Sequence, residues 1–316
     1  MSKYLVTGGA GFIGSNIVEE LLRRGETVRV LDNLSTGREE NMTSFRDEID
    51  FQKGDIRSED DVKKALEGVD IVLHQAAFRS VPRSIDDPVT ANDVNVRGTL
   101  NLLILAKKAK IKRFVYASSS SVYGVCEVFP QKETLPLGPV SPYAVSKLAG
   151  EYYCRMFAKT MGLETVCLRY FNVFGPRQNP DSKYSTVIPA FVESLVNDQP
   201  CRIDGNGKQV RDFTFVTTIV DANIAAANTA KISGEVFNVA SGQDYSVLDV
   251  AENLKKILDK QIESIHGLRR RGDVDRTFAD ISRMNEVLKV EPRIHFHEGL
   301  EKTVKWFVSD RMVDVT

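Results

Sequence analysis

The chain has 316 residues, 42% of them hydrophobic, with 42 basic against 43 acidic side chains and a formal net charge of -1. That length suits a dinucleotide-binding domain with a smaller companion. The near-neutral balance provides no electrostatic footprint for nucleic acid or an anionic membrane, and no apolar run reaches membrane-spanning length, so neither is an expected partner.

Residues 4–7 read as a buried strand, with Met1 and Ser2 leaving no room for a leader ahead of it. Residues 12–24 read as a helix with Ile13, Ile17, Val18, Leu21 and Leu22 on one side. Strands follow at 27–31 and 49–53, then a helix from Ser58. Ser58 and Asp61 lie three apart, close to a capping box with Asp in place of Glu. Residues 71–74, 113–117 and 165–169 are further short strands, with a helical stretch over 89–109 between the first two. This alternation implies right-handed crossovers and a parallel sheet with helices on both faces, the doubly wound Rossmann-type α/β class.

Beyond Phe171 the rhythm breaks. Segments 175–182 and 204–207 are rich in Gly, Pro, Asn and Asp, and helices are predicted at 187–196, 220–230, 247–258, 281–288 and 298–308. Residues 237–239 read as a late strand returning to the sheet. The expected division is 1–171, with contributions from about 212–238, for the nucleotide-binding domain and 172–316 for a smaller interleaved α/β substrate domain. The four cysteines, Cys126, Cys154, Cys167 and Cys201, form no CxxC pair, and the four His are not at ligand spacing. Reduced thiols in a cytoplasmic protein without a metal are the expectation.

Gly8, Gly11 and Gly14 lie between the first strand and the first helix. A pyrophosphate needs close backbone approach and free N–H groups at a helix N-terminus, and glycines remove the Cβ atoms that block this. A glycine-rich turn can also be a plain strand-to-helix connection. Asp32 ends the second strand, where a carboxylate accepts from both ribose hydroxyls of NAD and repels the extra phosphate of NADP. A simple loop cap is the competing reading. Asp55 and Ile56 after the third strand are candidate adenine contacts, although Asp is also a common turn residue.

Ser141 suits an N-cap and Pro142 the first helical position. Tyr143 and Lys147 then fall four apart on one helix face. A tyrosine that takes a proton near neutral pH needs its phenolate favoured, and the Lys147 ammonium and an oxidised nicotinamide are two positive charges suited to that role. The spacing by itself is common on solvated helices. The serine run at 118–121 follows the strand 113–117, at the carboxyl edge of the sheet where ligands bind. A hydroxyl there shares the reacting proton with Tyr143, unless the run is only loop and capping chemistry.

Further segments occur in order: Asp32-Asn33-Leu34-Ser35-Thr36-Gly37, His74-Gln75-Ala76-Ala77, Asn95-Val96-Arg97-Gly98-Thr99, Arg169-Tyr170-Phe171-Asn172, Arg211-Asp212-Phe213 and Arg270-Arg271-Gly272-Asp273. With the glycine loop, the serine run and the Tyr143 helix they resemble, nearly end to end, the extended short-chain dehydrogenase/reductase family and specifically its UDP-hexose 4-epimerases.

The resemblance implies NAD as a retained cofactor. Its contacts are Gly8, Gly11, Phe12, Ile13, Gly14, Asp32, Asn33, Ser35, Thr36, Gly37, Asp55, Ile56, Gln75, Ala76, Ala77, Asn95, Ser118, Tyr143 and Lys147. Tyr143 matches the base, and Lys147 the lysine that also holds the nicotinamide ribose. Ser119, five before Gly124, matches the catalytic Ser or Thr, with Ser118 and Ser120 as alternatives. Asn95 matches an asparagine supporting the site. For a UDP-sugar the implied contacts are Arg79, Ser80, Ser119, Ser120, Tyr143, Asn172 near the phosphates, and Val187. Arg211 and Arg270 match a pyrophosphate clamp and Asp273 a uridine-ribose contact, guanidinium forks being suited to a diphosphate. A surface ion pair is the plain alternative for either arginine. Thr277, four after Asp273, borders the sugar's 2-substituent and is small enough to admit an N-acetyl group, or else simply packs in a strand.

The implied reaction is C4 epimerisation of UDP-glucose and UDP-galactose, with the N-acetylhexosamine pair accepted too, through a 4-keto sugar. A 4,6-dehydratase is the nearest rival, but such relatives carry an Asp-Glu pair where this chain has Ser119-Ser120. A uronic-acid epimerase and a catalytically idle NAD sensor are the others, and Ser119, Tyr143 and Lys147 argue against the sensor. A homodimer through 89–109 and 143–160 is implied, although the apolar Leu102, Leu103, Leu105, Tyr152 and Met156 serve equally as intrachain core.

Overall fold

The computed structural model describes residues 1–179, 186–269 and 274–313. Its central sheet contains β1 (Lys3–Thr7), β2 (Thr27–Asp32), β3 (Asp50–Lys53), β4 (Ile71–His74), β5 (Arg113–Ser119), β6 (Thr165–Tyr170) and a returning strand, Glu235–Val239. The spatial order is returning strand, β6, β5, β4, β1, β2, β3, and every pairing is parallel. The order reverses between β1 and β4, which opens a crevice at the carboxyl ends of the strands.

The strands are apolar because both faces are covered. Successive residues of a strand point to opposite faces, so Tyr4 and Val6 enter one core with Ile17, Val30, Leu168 and Phe237 while Leu5 enters the other with Val62, Leu102, Phe114 and Cys167. Leu102, Leu103 and Leu105 therefore belong to intrachain core, whereas Tyr152 and Met156 remain 57% and 38% exposed.

Several expected elements change form. At Ser58 the side chain accepts from the Asp61 amide, but the box does not close, because the Asp61 carboxylate accepts from the loop amide of Asp55 at 2.9 Å. A complete box with Asp in that role forms at Ser246 and Asp249. The stretch 89–109 resolves into Pro88–Asn92, a π-helical Asp93–Gly98 and Thr99–Lys108. A short helix, Val81–Asp86, capped by the Ser80 side chain and started by Pro82, precedes it. Helix 220–230 starts earlier, as Val216–Asn228. Segment 281–288 shrinks to the π-helical turn Met284–Leu288, stopped by Lys289 at φ 56°. The last helix is Phe296–Val313.

Small ladders carry the rest of the substrate side. Asn172–Phe174 pairs with Phe213–Phe215, and Arg202–Asp204 with Ile265–Gly267. Val210–Arg211 lies between Tyr245–Ser246 and Arg276–Thr277. Among the described residues no helix is long and apolar enough to cross a membrane, and no group of three or more His, Cys, Asp or Glu is placed to hold a metal ion. All four cysteines are free, three of them buried.

Candidate active site

A cleft of about 550 Å³ opens where β1 and β4 diverge. Its floor begins at Gly8, whose φ is 70°, and a Cβ there would stand 2.7 Å from the Ala76 amide nitrogen. Glycine is therefore required both by conformation and by the approach of the loop after β4. Gly11, Phe12, Ile13 and Gly14 continue the wall at the N-terminus of the helix Phe12–Arg23. That arrangement aims backbone N–H groups at an incoming anion.

Asp32 lines the cleft at the end of β2 and accepts from the Ala10 amide at 3.0 Å and the Leu34 amide at 2.8 Å. Burial pushes its carboxyl pKa up, and the two backbone bonds work the other way. A Cβ on Gly37 would come within 3.0 Å of both Asp32 oxygens. Asn33, Ser35, Thr36 and Gly37 complete this edge. Asp55 and Ile56 also line the cleft. The Asp55 carboxylate already accepts from Arg57 and, at 2.8 Å, from Asn33, which holds its pKa down at about 2. Its side chain thus braces the loop. The cradle and the ribose carboxylate together fit a dinucleotide.

At the far end, the helix Pro142–Met156 starts where the Ser141 hydroxyl accepts from the Ala144 amide at 3.2 Å. The Ser84 hydroxyl accepts from the Tyr143 amide at 3.0 Å. Burial raises the Tyr143 phenol pKa, while a hydrogen bond with Ser119 and the positive charge of Arg79 pull it down. Lys147 is buried, which pushes its ammonium down to about 8. Its Nζ donates to the Ala117 carbonyl at 2.8 Å and stands 5.8 Å from the Tyr143 ring centroid. Lys147 thus keeps its positive charge near the Tyr143 ring while anchored on the strand, and Arg79 is a second positive charge near the phenol.

The serine run divides by role. Ser119 lies near the Tyr143 phenol and accepts from the Ser121 amide and hydroxyl. Ser118 donates to Glu151 at 2.5 Å, which commits its proton away from the phenol. Ser120 lines the cleft.

Gln75, Ala76, Ala77, Arg79, Ser80, Asn172, Arg211 and Thr277 all line the same cleft. Thr277 pairs with Arg211 in register and donates to Asn172 Oδ1 at 3.3 Å. Arg211 is buried and not on the surface, and its guanidinium donates to the Val274 carbonyl at 2.7 Å. Two assigned residues fall off the wall. Asn95 lies behind it, accepting from the Phe78 amide at 2.7 Å and donating to the Phe78 carbonyl at 3.1 Å and to Ser146 at 2.9 Å. It joins the loop after β4 to the Tyr143 helix instead of facing the cofactor. Val187 opens the helix Val187–Val196, and its neighbour Thr186 reaches the cleft instead. Arg270 and Asp273 lie outside the described residues.

A family model described as NAD dependent epimerase/dehydratase family matches residues 4–240. The chain belongs to that family. A UDP-glucose 4-epimerase of Mycolicibacterium smegmatis is 38% identical over 307 residues, 96% of this chain and 97% of the relative. A UDP-N-acetylglucosamine 4-epimerase from Methanobrevibacter ruminantium, solved with UDP-N-acetylmuramic acid, superposes with a TM-score of 0.93 at 38% identity, covering 98% of this chain and 99% of that one. A Thermus thermophilus UDP-glucose 4-epimerase solved with NAD gives 0.90 at 35% identity, covering 97% and 99%. NAD is the cofactor of this epimerase-family chain, and the cradle from Gly8 to Gly14 with Asp32 is where its residues fit it.

Sequence reasoning missed Tyr170, Arg83, Arg38 and Gln178 on the wall. Tyr170 donates to Gln75 at 3.0 Å and accepts from Asn223 at 2.7 Å, and Gln75 donates to Asn223 at 3.0 Å. This closed ring spans three elements distant in sequence, so no local signal marks it.

Proposed function

We infer that this enzyme interconverts the C4 epimers of a UDP-hexose. The observation that carries the reading is the convergence of Ser119, Tyr143 and Lys147 on one cleft that is continuous with the dinucleotide cradle. Bound NAD supplies the acceptor, and then the donor, of the C4 hydride. Tyr143 takes the proton of the C4 hydroxyl and returns it to the C4 oxygen once the keto sugar has turned its other face to the hydride, and Ser119 steadies that proton by sharing it. Lys147, anchored on Ala117, faces the cofactor's ribose. The relatives' names, UDP-glucose 4-epimerase and UDP-N-acetylglucosamine 4-epimerase, support the sugar class. Water elimination lacks its acid and base here, since serines stand at 119 and 120.

Thr277 leaves room for an N-acetyl group beside Asn172, which supports acceptance of UDP-N-acetylglucosamine as well as UDP-glucose. Arg211, with Arg270 and Asp273, is the proposed UDP-binding side, within a substrate domain of 172–316 set against 1–171. A cytoplasmic homodimer belongs to the same reading. Val89, Ile104, Val145, Tyr152 and Met156 are exposed on the helices assigned to the contact.

The test is incubation of the purified protein with UDP-glucose, UDP-N-acetylglucosamine and their C4 epimers, with no cofactor added. Each accepted pair should relax to one mixture from either side. Holoenzyme that leaves all four unchanged rules the reading out.

A further inference from the structure

Arg79 and Arg83 stand on the same wall of the cleft as Tyr143, and among the described residues neither forms an ion pair. The residues on either side of Arg79 are held in place. Its predecessor Phe78 is held at both its amide and its carbonyl by Asn95, at 2.7 and 3.1 Å. Its successor Ser80 has a φ of 89°, a conformation that non-glycine residues rarely adopt and that strained functional segments retain. Arg83 lies over the Phe78 ring, 4.2 Å from the centroid, on the helix that Ser80 caps.

Arg79 keeps an exposed side toward the cleft. Burial of the rest lowers its pKa below the usual guanidinium value, Tyr143 works the other way, and the charge of Arg83 adds to the lowering. Two like charges facing one space, with no carboxylate of the described residues paired to either, are costly unless an anion joins them.

The dinucleotide phosphates do not answer this need, because their cradle lies at Gly8–Gly14. The substrate's pyrophosphate lies on the side of Arg211, next to Thr277 in the register of the small ladder. Tyr143 marks the reacting C4 carbon, so the anion that meets Arg79 is borne by the sugar itself, close to C4. A guanidinium fork matches a carboxylate at two points.

We propose that Arg79, flanked by Arg83, forms a subsite for a carboxylate carried by the sugar of the UDP-sugar substrate. This rests on the C4-epimerase reading and extends it to charged sugars. Two positions put a carboxylate there: C6, as in a hexuronic acid, or an ether on O3, as in a lactyl group.

The experiment compares wild-type holoenzyme with Arg79→Met and Arg79→Lys. UDP-glucose, UDP-glucuronate and UDP-N-acetylmuramate are assayed for C4 epimerisation, and each is titrated by calorimetry. Wild type should turn over at least one acidic sugar. Arg79→Met should lower kcat/KM for that sugar, and weaken its binding, about 10- to 100-fold more than for UDP-glucose. Arg79→Lys should restore only part of this, since it keeps the charge and loses the fork. Which acid responds tells C6 from O3.

Equal losses for acidic and neutral sugars would overturn the subsite and assign Arg79 to the Tyr143 phenol alone. So would turnover of UDP-glucose with neither acid accepted. Inactivity of wild type on UDP-glucose, UDP-N-acetylglucosamine and both acids is the distinct result that removes the epimerase reading beneath it.

Discussion

Glu151 accepts two charge-assisted hydrogen bonds from Arg169, at 2.9 and 2.8 Å, with the side chains only 2% and 4% exposed. Glu151 lies one helical turn past Lys147, and Arg169 is on β6. The same carboxylate accepts from the Ser118 hydroxyl, and Arg169 donates to the Tyr123 hydroxyl at 2.9 Å. The pair thus ties the catalytic helix to the strand end that carries Ser119. Removing one partner leaves a buried charge without compensation. Glu151→Gln should lower unfolding free energy by roughly 3–5 kcal/mol in urea titrations. The double variant Glu151→Met with Arg169→Met should recover part of the loss. A single variant as stable as wild type contradicts this account.

Tyr143→Phe removes the phenolic hydroxyl near Ser119 in the cleft. Epimerisation should slow by about 10²- to 10⁴-fold, the usual range for a positioned acid or base. NAD released on denaturing the variant should still match wild type, because the cradle is built from β1, β2 and the glycine loop. A near-normal rate would show that another group moves the proton.

Thr277 is small, lines the cleft, and holds Asn172 through its hydroxyl. Tyrosine at this position fills the space proposed for an N-acetyl group. Thr277→Tyr should cut the rate on UDP-N-acetylglucosamine relative to UDP-glucose by about tenfold or more. Rates measured on both sugars check it, and an unchanged ratio places the gate elsewhere.

Asp212 is buried beneath the small ladders and accepts from Thr214, from the Ser241 amide and hydroxyl, and from the Gly242 amide. Burial nevertheless pushes its carboxyl up to about 6, against those bonds. A folded-state pKa above the unfolded value means that the folded form binds the proton more tightly. The Asp212 contribution to stability is therefore greatest below the unfolded pKa and declines as pH rises through about 6. Unfolding free energies of wild type minus Asp212→Asn, measured from pH 4 to pH 7, should fall by roughly 2 kcal/mol. A flat difference shows that Asp212 titrates alike in both states.

The parallel sheet was legible because its strands are buried on both faces and stand out as short apolar runs between helical periods. The residues 237–239 already marked the strand that closes the edge beside β6. The small ladders were not legible, since segments of two or three residues such as Val210–Arg211 and Arg276–Thr277 are too short to show alternation. Leu102 and Tyr152 illustrate the same limit on faces. Both are apolar on helices, yet one is core and the other exposed.

From the order of residues alone came the cradle glycines, the carboxylate at the end of β2 and the one-turn spacing of Tyr143 and Lys147, because each is a local pattern imposed by backbone geometry. The direction in which a side chain finally turns is set by neighbours far away in the chain. Packing decided that Lys147 faces Ala117, that Ser119 and not Ser118 meets the phenol, and that Asn95 braces the wall from behind. It also left the Arg79 guanidinium without an ion pair among the described residues. Burial and long-range hydrogen bonds settle such choices, and neither is a property of a short stretch of sequence.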